Sequence, residues 1–199
     1  MITENFEQCS PEWFAARLGR PSASQFDKVI TTKGERSKQR TKYMYQLAGE
    51  RISGAREESY TNAAMQRGTE MEPEARALYE LLHDAQVDQV GMCYKDEARL
   101  FSCSPDGLVG PTGGLEIKCP SMAVHIEYLM GGKLPTDYYQ QVHGSLLITG
   151  REWWDFASYY PGIKPLIVRV YPDEKFLAAL ESELICFCEE LAEVVEKIK

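Results

Sequence analysis

A chain of 199 residues, 44% apolar and 26% charged, is long enough to close one full core and short for two, so a single domain over residues 1–199 is expected. No stretch approaches the roughly 20 apolar residues of a membrane span, and Met1–Asn5 lacks the basic start and apolar run of a secretory leader. The net charge of −8 argues at first sight against nucleic acid as a partner. Its distribution softens that exclusion. Asp173–Lys199 holds eight acids and three bases, whereas Met1–Gly54 holds nine bases and six acids. The run from Lys33 to Lys42 is the best candidate for a phosphate-backbone track, with an exposed basic loop as the alternative. Cys9, Cys93, Cys103, Cys119, Cys186 and Cys188 show no Cys-x-x-Cys spacing. Reduced, mostly buried thiols are expected, as in a cytoplasm, without zinc or an iron–sulfur cluster.

Ser10 and Pro11 open a helix as cap and first-turn proline, predicting helix to Leu18. A second helix starts near Ser22 and carries Phe26, Val29 and Ile30. A third spans Arg36 to about Ile52. Asn62–Leu82 reads helical with an interruption at Gly68, and Ala75, Leu78 and Tyr79 inward. Strands follow at Asp88–Asp96, Leu100–Ser104 and Leu115–Cys119, then helices at Ala123–Met130 and Thr136–Leu147. Arg151–Tyr160 and Leu166–Tyr171 are strands, and an amphipathic helix runs from Asp173. Strands in the middle of a helical chain predict an α/β sandwich around a mixed sheet. Trp153, Trp154, Phe156, Tyr159 and Tyr160 read as core packing in preference to a base-stacking platform. Leu180, Leu184, Phe187, Leu191 and Val194/Val195 form a stripe that fits core or, in part, a subunit contact.

The chemistry concentrates in Ser104-Pro105-Asp106-Gly107 and Leu115-Glu116-Ile117-Lys118-Cys119-Pro120. Asp106 lies where a strand closes into a turn, and a Gly-rich hairpin loop from Gly110 to Gly114 leads to the next strand. Alternation puts Glu116 and Lys118 on one face and Ile117 on the other. Two hard carboxylates and an amine then meet at a hairpin mouth, as a magnesium-dependent nuclease requires. The plain alternative is a solvated strand face with a weak ion pair. Against it stand the apolar neighbours of Glu116, which imply burial where unpaired charge is expensive.

Ser-Pro-Asp-Gly-Leu followed by Gly-Leu-Glu-Ile-Lys-Cys-Pro resembles the phage lambda exonuclease and YqaJ-like recombinase group of the PD-(D/E)XK nuclease superfamily. Arg17-Leu18-Gly19 with Ser22-Ala23-Ser24, the stretch from Gly68 through Glu72 to Arg76, and Tyr139-Gln140-Gln141-Val142 resemble further motifs of that group in the same order. The resemblance implies a PD-(D/E)XK core with a central mixed sheet flanked by helices. It makes Asp106, Glu116, the Ile117 carbonyl and Glu72 the metal ligands, for two Mg2+ ions with Mn2+ able to substitute. Lys118 becomes the water-activating base or electrostatic stabiliser, and Gln141 orients the nucleophile or a ligand. Arg17, Ser24 and Ser104 form a 5′-phosphate pocket, and Met65 stands where the group carries an apolar wedge, though not with its usual residue. Read without the resemblance, Arg17 and Ser24 also fit a helix-end charge and a cap, Glu72 a cap at a helix starting near Pro73, and Gln141 an interhelical contact. The activity implied is 5′-to-3′ digestion of one strand at double-stranded DNA ends, leaving a 3′ overhang for recombination. A homotrimeric ring, a phage single-strand annealing protein as partner and a phage or prophage origin in a bacterial cytoplasm are implied with it. Alternatives on the same core are a structure- or sequence-specific endonuclease and a dead-core DNA-binding module.

Overall fold

Strand β1 (Ile2–Glu4) and helix α1 (Pro11–Arg17) open the chain, followed by a 3-10 segment at Ala23–Lys28. Helices α2 (Arg40–Ser53) and α3 (Ala63–His83) lead to five short strands: β2 (Val87–Asp88), β3 (Met92–Tyr94), β4 (Ser102–Cys103), β5 (Gly107–Val109) and β6 (Gly113–Lys118). Then come α4 (Met122–Gly131), a 3-10 turn at Thr136–Tyr138, α5 (Tyr139–Thr149), β7 (Trp153–Ser158), β8 (Leu166–Val170) and α6 (Glu174–Ile198). This computed structural model describes residues 1–56 and 63–199, without the side chains of 63–65. Met65 therefore lies outside the described side chains.

The larger sheet has the order β2-β5-β6-β7-β8, and the smaller the order β1-β3-β4. Among the described strands only β6 and β7 pair in parallel, which requires a crossover; α4 and α5 supply it. Alternation along β6 divides its side chains between two layers. Leu115, Ile117 and Cys119 join Ala75 and Tyr79 of α3 in one buried cluster. On the other face Trp154 packs with Val142 and Leu146 of α5. The stripe of α6, from Leu180 through Leu184, Phe187 and Leu191 to Val195, is buried with Tyr43, Leu47 and Phe26, so it is core. Trp154, Phe156 and Tyr159 are likewise buried.

Several elements differ from the expectation for physical reasons. Asp88–Asp96 is two strands in different sheets, split at Gly91, where a Cβ would come within 2.4 Å of the Phe6 carbonyl oxygen. Helix α2 starts at Arg40 because Ile30 bridges Arg36 and the Ser37 N–H donates to the Val29 carbonyl at 3.0 Å, holding residues 31–37 as a loop. Helix α3 runs through both Gly68 and Pro73; its buried Ala75 and Tyr79 supply packing that outweighs propensity. Strand β6 begins at Gly113, where the rings of Trp153 and Trp154 occupy the space that side chains at 113 and 114 would need. Gly107 is the first residue of β5, so Asp106 introduces a strand where the sequence suggested it closed one.

Candidate active site

Asp106, Glu116 and Lys118 come together at the end of the β5–β6 hairpin. The β5 ladder stops at the Gly107–Leu115 pair, leaving Ile117 past its end on that side. The Ile117 N–H donates to Asp106 Oδ2 at 2.6 Å. Because the N–H and C=O of a strand residue point to the same side, the Ile117 carbonyl faces the same opening. On the α5 face, Lys118 Nζ pairs with Glu116 Oε1, and Gln141 Nε2 donates to the same oxygen at 2.5 Å. The Tyr138 ring lies 5.3 Å from Lys118 Nζ. Glu72, in the middle of α3 and not at a helix start, pairs with Arg76 one turn on.

Electrostatics at this spot are unusual for a surface hairpin. Glu116 is 1% exposed, and burial pushes its pKa up to about 7 against the opposing pull of Lys118. Burial also raises Asp106, opposed by Lys118 and the Ile117 N–H. Glu72 is raised by burial and then by the Asp106 charge. Burial works against the charge of Lys118, but Glu116 and Asp106 outweigh it, so its pKa rises above the ordinary lysine value. Among the described residues no three His, Cys, Asp or Glu side chains gather as a metal group. Asp106 and Glu72 both bear on Glu116 electrostatically, and Glu72 pairs with Arg76.

A second cluster adjoins the first. Arg17 Nη2 donates to Ser22 Oγ at 3.0 Å and to Ser24 Oγ at 3.1 Å, while the guanidinium lies 4.3 Å from the centre of the Trp13 ring. Trp13 Nε1 in turn donates to Ser104 Oγ at 2.8 Å, and Ser104 donates to the Gly91 carbonyl at 2.6 Å. Burial lowers the Arg17 pKa from its ordinary value. Among the described residues no carboxylate pairs with Arg17. Arg17, Ser24 and Ser104 thus share one cluster, with Ser104 linked through Trp13. Ser22 and Arg76 stood inside the quoted motifs without a role of their own, and Trp13 and Tyr138 were not singled out from sequence. A tryptophan in an amphipathic helix reads as core, and nothing in the spacing of Tyr138 marks it as a neighbour of the site. The Lys33–Lys42 run is partly spent inside the fold: Arg36 and Arg40 pair with Glu183 and Glu190 of α6.

No match is found among curated proteins. Two crystal structures of the alkaline exonuclease from Laribacter hongkongensis superimpose with a TM-score of 0.87. One is 39% identical and covers 95% of this chain and 96% of its own. The other, in complex with dAMP, is 40% identical and covers 96% of both. A phage-related exonuclease from Haemophilus somnus 129PT, 13% identical with a TM-score of 0.71 over 90% of this chain and 96% of its own, shares the fold. The YqaJ-like viral recombinase domain matches residues 12–152. From its motifs, its hairpin and this match, the chain belongs to the YqaJ-like viral recombinase family.

Proposed function

We propose that the protein is a DNA exonuclease that removes 5′-mononucleotides from the ends of linear duplexes, 5′ to 3′, with Mg2+. The observation that carries this reading is the convergence of Asp106, Glu116, Lys118 and Gln141 at the open end of a hairpin. The donor set fits a hard cation: carboxylate and carbonyl oxygens, with neither thiolate nor imidazole. Asp106, Glu116 and the Ile117 carbonyl would hold it, and Glu72, whose Oε1 is on Arg76, would join them through its other oxygen. When bound, such an ion polarises the phosphate and lowers the pKa of water.

The chain's own residues supply the rest. Lys118, kept as an ammonium by its acidic neighbours, stabilises charge developing on the phosphate oxygens. Gln141 holds Glu116 in place through its amide. Arg17, Ser22 and Ser24 take the terminal 5′-phosphate, since a guanidinium fork and hydroxyls match phosphate oxygens. Ser104 and Asp106 are two residues apart, so their Cα atoms lie within about 7 Å. A phosphate in the Arg17 cluster therefore leaves the next phosphodiester within reach of the carboxylates. We also propose, from family likeness, a ring of three copies that hands a 3′ overhang to an annealing protein in a bacterial cytoplasm. The engagement of Arg36 and Arg40 by α6 leaves less of the Lys33–Lys42 run for a basic track. Among the described residues no helix is long and apolar enough to cross a membrane.

Digestion of duplexes labelled at one 5′ or one 3′ end, with Mg2+ and with EDTA, tests the reading. Early release of the 5′ label as mononucleotide is expected, abolished by EDTA and reduced about 10²–10³-fold by Lys118→Ala. Opening of a covalently closed circle would support the endonuclease alternative, and binding without cleavage would leave a dead-core module.

A further inference from the structure

Arg76 takes no direct part in the site described above, yet it touches two of its acids. Its side chain is 11% exposed. Nη2 pairs with Glu72 Oε1, and Nε donates to the backbone carbonyl of Asp106 at 3.3 Å. With the Gln89 amide turned so that its oxygen faces the guanidinium, that oxygen accepts from Nη1 at 2.9 Å and Nη2 at 3.2 Å. Glu72 and Arg76 are one turn apart on α3, so their pairing alone would form on any exposed helix and carry little meaning. The bond to Asp106 is different, because it crosses from the helix to the hairpin.

Asp106 is held from three directions. Gln8 Nε2 donates to the preceding Pro105 carbonyl at 2.8 Å, the Ile117 N–H takes the Asp106 carboxylate at 2.6 Å, and Arg76 takes its carbonyl. A carbonyl fixed in direction fixes the peptide plane, and with it the bond from which the side chain departs. Arginine suits this position because its planar fork bonds three acceptors at once; a lysine ammonium carries the same charge without that geometry.

We infer that Arg76 is a positioning residue that aims Asp106 through its carbonyl and Glu72 through its carboxylate, and so sets how tightly the site takes a divalent cation. The inference rests on the proposed metal-dependent nuclease. Outer partners that orient ligands in this way are worth about 10–100-fold in metal affinity when replaced.

The test is calorimetric titration of Mn2+ into the full-length wild type, Arg76→Lys and Arg76→Gln, beside thermal unfolding by circular dichroism and steady-state digestion of linear duplex. Arg76→Lys should stay folded, weaken Mn2+ binding about tenfold or more, keep its KM for DNA, and regain kcat as metal is raised. Arg76→Lys that binds Mn2+ like wild type, whatever its melting temperature, would reduce Arg76 to a structural prop and overturn the inference. If Arg76→Gln does not fold, the lysine variant alone decides. A wild type that neither takes up Mn2+ nor degrades DNA would overturn the nuclease reading instead, with a result no Arg76 variant could produce.

Discussion

A guanidinium held between two serine hydroxyls and a tryptophan face, without a carboxylate among the described residues, retains its capacity for an anion. Hydrogen bonds to charged groups contribute roughly 1.5–3 kcal/mol, or about tenfold to a hundredfold in rate or affinity. Arg17→Ala should therefore lose that factor on 5′-phosphorylated ends and little on 5′-hydroxyl ends. Competition between the two substrates in one tube measures it, and an equal loss on both would remove Arg17 from end recognition. At this scale the sequence was informative where chemistry is local. Asp106, Glu116 and Lys118 announce themselves through turn residues and strand alternation. Trp13, which joins Arg17 to Ser104, could not be read, because its role depends on a contact across 91 positions.

Helix α5 shows how an element serves the site on one side and the core on the other. Gln141 reaches Glu116, while His143 is 2% exposed and packs against the rings of Tyr139 and Phe176. Burial lowers the His143 pKa, opposed by its bond to the Tyr139 carbonyl and by Asp173. The unfolded chain, with a histidine pKa near 6.5, then binds a proton that the folded chain refuses. Stability contributed by His143 is full above about pH 6.5 and falls as pH drops toward its lowered value, by at most about 1.4 kcal/mol per pH unit. Glu116, raised to about 7, acts with opposite sign across the same range, since the folded state then holds the extra proton. Urea denaturation of wild type and His143→Gln between pH 5 and 8 separates them. The difference curve should slope only on the acid side, and a flat one would refute the assignment. Long elements were legible from their periodicity, α6 above all. The short strands β1 and β5 were not seen, and β2 and β3 were not seen as separate units, because pairing partners define them and periodicity cannot.

For the molecule as a whole, the acidic C-terminal helix answers part of the basic N-terminal segment, through Arg36 and Arg40. Arg40, whose side chain is 6% exposed, bonds both Glu183 and Glu190, and its guanidinium lies 5.1 Å from the centre of the Phe187 ring. Removing a charged donor of this kind leaves its acceptors unpaired, so Arg40→Met should cost roughly 1.5–3 kcal/mol of stability, read as a lower urea midpoint. The salt dependence of DNA binding should not change. Weaker binding at unchanged stability would instead return Arg40 to the phosphate-backbone track. The charge asymmetry between the two ends of the chain was plain in the sequence. Its pairing was not, since Arg40 and Glu190 lie 150 positions apart.

The central position of β6 in the order β2-β5-β6-β7-β8 has a consequence for how the enzyme ages and fails. Fraying begins at edges, where strands have one neighbour, and interior strands open last. Shedding β8 or β2 would leave Glu116 and Lys118 still anchored on β6. Injury at the rim should therefore wear the molecule down gradually while the carboxylates stay aligned, and the machinery itself should vanish in a single step with the collapse of the sheet.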